Sequence, residues 1–309
     1  MVSFSPLRSL PGEVGLKQSV SERKLLRLIT VALLFALAST VLAFDQQVSI
    51  PHETVTVPSG KLRLKAFFWK PAGPGPFPAV LFCHGSGDVD ADHTAGLPIT
   101  EAAERLAPLF LKHGYGFLYL FRRGQGLSAD QSAFMQDILK REEAGKGKEA
   151  RRHLQFVLVT GDHLDDVMAG LKFLTTTPGI DPKRLAIVGH SFGGQLTLLA
   201  AERDNTIRAA VTFAAAAASW ERSAELRKRL ITAVDKSTAP IMLIQAANDY
   251  STAPSYALAD ELERLHKPHV LKIYPPIGQT SDDGHNFLYF ATPQWENDLF
   301  RFLDEYVKR

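Results

Sequence analysis

Cysteine is nearly absent. Cys83 stands alone among 309 residues, so the chain cannot close a disulfide within itself or build a zinc site from cysteine pairs. Cys83 lies in the apolar run AVLFCH, where a thiol reads as a small core hydrophobe and not as a reactive group. No H-E-x-x-H or comparable ligand spacing occurs, so neither a metal nor another cofactor is expected. An excess of one charge is also missing. The 35 basic and 33 acidic side chains give a net charge of +2, which leaves no footprint for nucleic acid. Even that excess belongs to residues 1–43, which hold five of the basic residues and two of the acidic ones; the remainder carries 30 against 31. No Gly/Ser-rich or Pro-rich linker divides the chain after residue 60, and the alanine run 214–218 is its only low-complexity tract.

Residues 1–43 read as a targeting segment. Arg23, Lys24 and Arg27 precede an uncharged run over 28–44 (LITVALLFALASTVLAF), and Val41-Leu42-Ala43 has the small-residue form of a signal peptidase site. Cleavage after Ala43 is expected to release an exported, periplasmic or secreted chain starting at Phe44. No cysteine lies near the junction, which removes a lipoprotein signal. The alternative is an uncleaved anchor over 28–44, a run slightly short of the roughly 20 residues a spanning helix needs. Membrane contact is expected only through that segment.

Residues 44–309 read as one α/β domain. The segments 53–57 and 62–69 look like an antiparallel start, with the Pro/Gly stretch 71–76 as a hairpin-like turn to the next strand. Continuous apolar runs follow at 79–83, 116–121, 185–188, 209–213, 241–245 and 270–274. Amphipathic helices are expected around 100–112, 162–174, 193–203, 254–266 and 293–307. Buried strands alternating with helices imply a mostly parallel sheet covered on both faces. The charged stretch 129–160 is too long for an ordinary connection. It reads either as a solvated helix pair or surface loop, or as a cap over the site.

The chemistry concentrates at Gly189-His-Ser-Phe-Gly-Gly194, which follows an apolar strand and opens a helix. This is the G-x-S-x-G nucleophile elbow, whose glycines permit a turn too tight for side chains and whose serine is held above the sheet at a helix N-terminus. Ser191 is therefore the expected nucleophile. Serine needs a base, and the base needs an acid to orient it. Asp249 lies in the loop leaving the strand 241–245, and His285 is the only histidine after the strand 270–274. His266 and His269 come too early, and Asp282 and Asp283 are too local to serve as the acid. The segment GQTSDDGHN is expected to be a flexible loop carrying the base.

An oxyanion hole needs two backbone donors. Phe192 N–H is one; the other is assigned to Ser86 in His84-Gly-Ser-Gly87, with Gly85 the near alternative. His84 reads as support for that loop and His190 as the variable position of the elbow. Arg122 or Arg123, in FRRGQGLS, reads either as a carboxylate binder or, in preference, as an ion pair holding its own loop.

With G-H-S-F-G-G, H-G-S-G, R-G-Q-G-x-S and G-H-N-F in view, residues 50–309 resemble the α/β-hydrolase superfamily, nearest to its dienelactone hydrolase-like and prolyl-oligopeptidase-like branches. The resemblance implies the α/β-hydrolase fold and a triad of Ser191, Asp249 and His285. Dienelactone hydrolases proper carry a cysteine at the position of Ser191, and many relatives carry an aspartate at that of Phe121. The expected activity is hydrolysis of a small-molecule carboxylic ester through an acyl-enzyme. The alternatives are a peptidase or amidase with the same triad, or a non-catalytic binding module on the same scaffold.

Overall fold

The computed structural model of the protein describes residues 50–86, 93–94 and 97–309. The 28–44 run and the Val41-Leu42-Ala43 site lie outside the described residues. Among the described residues no helix is long and apolar enough to cross a membrane.

The apolar runs become the strands of an eight-stranded sheet. Its members are β1 (Glu53–Ser59), β2 (Leu62–Trp69), β3 (Phe77–Cys83), β6 (Gly116–Leu120), β7 (Ile180–His190), β8 (Ala209–Phe213), β9 (Ile241–Ala246) and β10 (His269–Tyr274). Two short strands, β4 (His93–Thr94) and β5 (Leu97–Pro98), form a separate ribbon. The spatial order is β1-β2-β6-β3-β7-β8-β9-β10. From β6 onward every pairing is parallel, whereas β1–β2 and β2–β6 are antiparallel. This corrects one expectation. The stretch 71–76 is not a hairpin turn, because β6 lies between β2 and β3; the chain crosses over that gap before β3 begins. The central strands β3, β6, β8 and β9 are buried almost throughout, as two covered faces require, while β10, at the edge, is half-buried along its whole length.

Helices cover both faces. α2 (Met135–Thr160), α3 (Asp162–Thr175), α4 (Phe192–Arg203), α5 (Ala224–Lys236) and α6 (Ala253–Arg264) enclose one core. α1 (Ile99–Lys112), α9 (Thr292–Val307) and the short α8 (Phe287–Phe290) enclose the other. Leu81, Leu118 and Ile187 are fully buried on the first face. Burial of side chains of this size contributes about 1.5–3 kcal/mol each relative to exposure. The stretch 129–160 contains one long helix, α2, broken at Gly147, whose φ of 87° and ψ of 176° only glycine adopts without strain.

Register places the site. Cys83 pairs with Gly189, and His190 with Phe213, so the segments after β3 and β7 leave the sheet side by side. Tyr274 pairs with Ala246, which brings the ends of β9 and β10 together beyond β8. Loops that follow these strands all meet at one carboxyl edge, where α/β sheets bind their ligands.

Candidate active site

Ser191 sits between β7 and α4 with φ 54° and ψ −114°. A residue with a β-carbon held in that region costs on the order of 1–3 kcal/mol, so the surroundings must enforce it. Ser191 N–H donates to the Phe213 carbonyl at 2.8 Å, tying the turn to β8. Packing enforces it too. A β-carbon on Gly193 would stand 1.9 Å from the Cys83 carbonyl oxygen and 2.5 Å from that of His84, so α4 can approach β3 only because this position is bare.

The three residues expected to act together are brought together. Ser191 O–H donates to His285 Nε2 at 2.9 Å, and His285 Nδ1–H donates to Asp249 Oδ1 at 2.7 Å. Asp249 and His285 are both buried. Tyr250 N–H also donates to Asp249 Oδ1, at 2.6 Å, so the carboxylate is oriented from its own turn. The Tyr250 ring lies 4.7 Å from the His285 ring, centroid to centroid, and its hydroxyl donates to Asp282.

The segment carrying His285 differs from expectation. It is not a flexible loop but a one-turn helix, α7 (Ser281–His285), closed by a capping box. Thr280 Oγ1 accepts from Asp283 N–H at 3.1 Å, and Asp283 Oδ2 accepts from Thr280 N–H at 2.9 Å. Asn248, one residue before Asp249, pins the approach: its Nδ2 donates to the carbonyls of Ile277 and Thr280, and its Oδ1 accepts from Ile277 N–H. Asp282 and Asp283 are thus committed elsewhere, one to Tyr250 and one to the cap.

Ser86 and Phe192 border the same cavity as Ser191. Phe192 opens α4, where a backbone N–H has no partner inside the helix. The loop carrying Ser86 is fastened from behind by Arg122. This guanidinium is buried, and it donates to the carbonyls of His84 and Gly85 at 2.7 Å each and to Gln125 Oε1 at 3.1 Å. In a trans peptide the N–H points opposite to the C=O, so the Ser86 amide faces away from Arg122. The guanidinium also lies 5.1 Å from the centre of the Phe192 ring. Burial pushes its pKa down to about 10, still charged at neutral pH. Gln125 Nε2 adds a donor to the Ser86 carbonyl.

Arg123 takes a different role. It binds Asp166 through Nε at 2.9 Å and Nη2 at 2.7 Å, and contacts Asp162 at 2.9 Å. Arg123 therefore forms the loop-holding ion pair, while Arg122 grips backbone; neither is presented to a substrate carboxylate.

His84 and His190 are structural. His84 Nδ1–H donates to the Gly85 carbonyl at 2.8 Å. His190 Nε2–H donates to the His285 carbonyl at 2.9 Å, joining the elbow to the segment that carries the base. Burial, and then the neighbouring His285, push the His190 pKa down to about 3, which keeps it neutral. Sequence reasoning missed the work of Arg122, of Gln245 behind Asp249, and of His190; none has a motif beyond its residue type. Burial pushes the Cys83 thiol up to about 12, so it stays protonated. Among the described residues no cluster of three or more His, Cys, Asp or Glu side chains is arranged to hold a metal ion.

A cavity of about 410 Å³ opens over Ser191. Its roof is α2, which contributes Gln155, Phe156 and Val159, and its far wall includes Ala216, Ser219 and Leu226. Residues of the stretch 129–160 therefore border the same cavity as Ser191.

No curated protein matches the sequence significantly. Solved structures do match in fold. A dienelactone hydrolase from Anabaena variabilis is 21% identical with a TM-score of 0.57, over 84% of this chain and 99% of that one. Est1E from Butyrivibrio proteoclasticus, solved with ferulic acid bound, is 17% identical with a TM-score of 0.58, over 82% and 100%. An acylaminoacyl peptidase from Pyrococcus horikoshii is 18% identical with a TM-score of 0.61, over 87% of this chain but only 43% of the peptidase. At such identities the likeness establishes the fold. The sequence profile of the dienelactone hydrolase family matches residues 129–291, more than half of the chain and inclusive of Ser191, Asp249 and His285. A parallel sheet flanked by helices, an elbow at its carboxyl edge and this match together make the chain a member of the dienelactone hydrolase family, a hydrolase of the α/β-hydrolase type.

Proposed function

We propose that the protein is a serine hydrolase that cleaves carboxylic esters through an acyl-enzyme. The observation that carries this reading is the unbroken hydrogen-bond chain from Asp249 through His285 to Ser191, opening on a cavity. Ser191 Oγ attacks the ester carbonyl as its proton passes to His285 Nε2. Asp249 holds the Nδ1 proton and stabilises the imidazolium. The amides of Ser86 and Phe192 receive the oxyanion. Collapse breaks the C–O bond, His285 returns the proton to the departing alkoxide, and an ester on Ser191 remains. Water then gives a proton to His285 and attacks that ester; the acid leaves and Ser191 recovers its hydrogen.

A fluorophosphonate probe is expected to label the intact protein at Ser191, and a folded protein that stays unlabelled defeats the proposal. Replacing Ser191 by Ala is expected to remove at least about a thousandfold of activity. A panel of acyl esters against aminoacyl amides tests the bond cleaved: faster turnover of the amides would move the assignment to a peptidase or amidase. We further propose export, from the basic residues and apolar run before Ala43. A mature N-terminus at Phe44 is the expected result; retention of the run in the membrane fraction would make it an anchor.

A further inference from the structure

We infer that the cavity over Ser191 selects esters carrying an anionic group at the end of an apolar stem. The inference rests on the proposed serine hydrolase chemistry and adds a substrate class to it. Four cations line the cavity, Lys148, Arg151, Arg152 and Arg222, against one carboxylate, Glu143. This excess is local, because residues 44–309 carry 30 basic and 31 acidic side chains. Two of the four cations are paired and two are not. Arg151 pairs with Glu143 at 3.1 Å, and Arg152 pairs with Glu149, whose own side chain is 85% exposed. Among the described residues neither Lys148 nor Arg222 forms an ion pair; the Arg222 guanidinium donates to the Ala218 carbonyl.

The arrangement along α2 orders these groups. Lys148, Arg152, Gln155 and Val159 succeed one another at helical spacing, so they share one face, and all four border the cavity. Lys148 is exposed, Arg152 and Gln155 are half-buried, and Val159 is fully buried. Charge thus sits at the rim and apolar surface inside, where Phe156 and Leu226 join Val159. From Lys148 to Val159 the helix rises about 16 Å, which sets the charged rim well apart from the apolar interior along one face. The unpaired Lys148 and Arg222 are exposed, so the preference is read at low salt, where screening is weakest.

The test uses the full chain and 4-nitrophenyl esters of matched length, ending in carboxylate, phosphate, methyl or trimethylammonium. The ratio of kcat/KM for an anionic over the neutral ester is expected to be about tenfold at low salt, since each accessible ion pair contributes a few-fold. It is expected to shrink towards unity near about 0.5 M salt. The carboxylate and phosphate arms identify which anion is preferred. In the double variant K148E/R222E the ratio is expected to fall below one, with the cationic ester gaining. Labelling of Ser191 by a fluorophosphonate, run beside every assay, separates the two readings. A wild-type protein that labels but treats all four esters alike overturns the anion site alone; one that does not label overturns the hydrolase assignment instead.

Discussion

Gln245 Nε2 donates to Oδ2 of Asp249 at 2.7 Å, on the oxygen opposite the one that meets His285. Gln245 is itself locked: its Oε1 accepts from Ser255 O–H at 2.7 Å, and its Nε2 also reaches the Ser251 carbonyl. The end of β9 and the first turn of α6 therefore hold the carboxylate in a plane that leaves Oδ1 for the imidazole. Gln245→Leu is expected to lower kcat by about 10- to 100-fold with little change in KM, because small misplacements of a base cost that much. An unchanged kcat in a folded variant sinks the assignment.

Arg122 is expected to act on rate through the loop it grips. Arg122→Met removes the donors to the His84 and Gly85 carbonyls and should lower kcat by about 10²-fold, the scale of losing one oxyanion donor. Arg122→Lys keeps the charge but not the fork, and should recover only part. Steady-state kinetics on both variants, with circular dichroism to confirm folding, decide the point. Equal loss of kcat in every variant, together with a lost fold, would reduce Arg122 to a structural residue.

Three buried histidines make the fold sensitive to acid. His84, His163 and His190 are each held below the ordinary value of 6.5, first by burial and then by neighbouring Arg122 or another histidine. The unfolded chain takes up their protons below about 6.5 while the folded chain does not until far lower, near 3 for His190. Stability is therefore complete above 6.5 and lost as pH falls. With about 1.4 kcal/mol per pH unit for each proton, three contribute roughly 4 kcal/mol per unit below that point. Urea unfolding at a series of pH values measures the slope; a flat profile from 6.5 to 5 contradicts it.

Glycines separate into those that cannot change and those that can. Gly193→Ala is expected to yield no folded protein, since the added carbon meets two backbone carbonyls that no rotation can move aside. Gly145→Ala in α2 meets nothing within 4 Å and is expected to stabilise the protein by about 0.5–1 kcal/mol, from helix propensity. Gly147→Ala, at positive φ, should instead destabilise it. Thermal denaturation of the three variants reads the order directly.

Ser59, Arg123 and Asp166 tie β1 and the loop after β6 to α3. Asp166, fully buried, accepts from Ser59 O–H, from the Arg123 backbone N–H and from its guanidinium. Asp166→Ala leaves Arg123 only its contact with Asp162 and takes the acceptor from Ser59 and from the Arg123 backbone N–H, and is expected to cost about 1–3 kcal/mol in denaturant titration. A loss below about 1 kcal/mol would mean the arginine finds another partner.

Much of this was legible in the residues. Strands such as 79–83 and 209–213 are apolar throughout because both faces are covered, and G-H-S-F-G-G names its own turn. The order of the strands was not: the stretch 71–76 looks like a hairpin locally, and only the pairing of β2 with β6 reveals the crossover. Helix α5 went unread because its charged sequence presents few apolar positions, Leu226, Leu230, Ala233 and Val234, to the core. The helical form of 281–285 depends on a Thr280–Asp283 cap that polar loop composition conceals. Arg122 reads the same as Arg123 in sequence; that one grips backbone carbonyls and the other Asp166 emerges only when distant segments meet.

The nucleophile and its base hang from separate parts of the chain, one on the turn between β7 and α4, the other on the short helix before α8 and α9. Their alignment across the sheet edge thus depends on the C-terminal tail staying docked. If that tail loosens first on heating, the proton relay is expected to come apart while the strands remain paired, and activity to fall before the sheet melts.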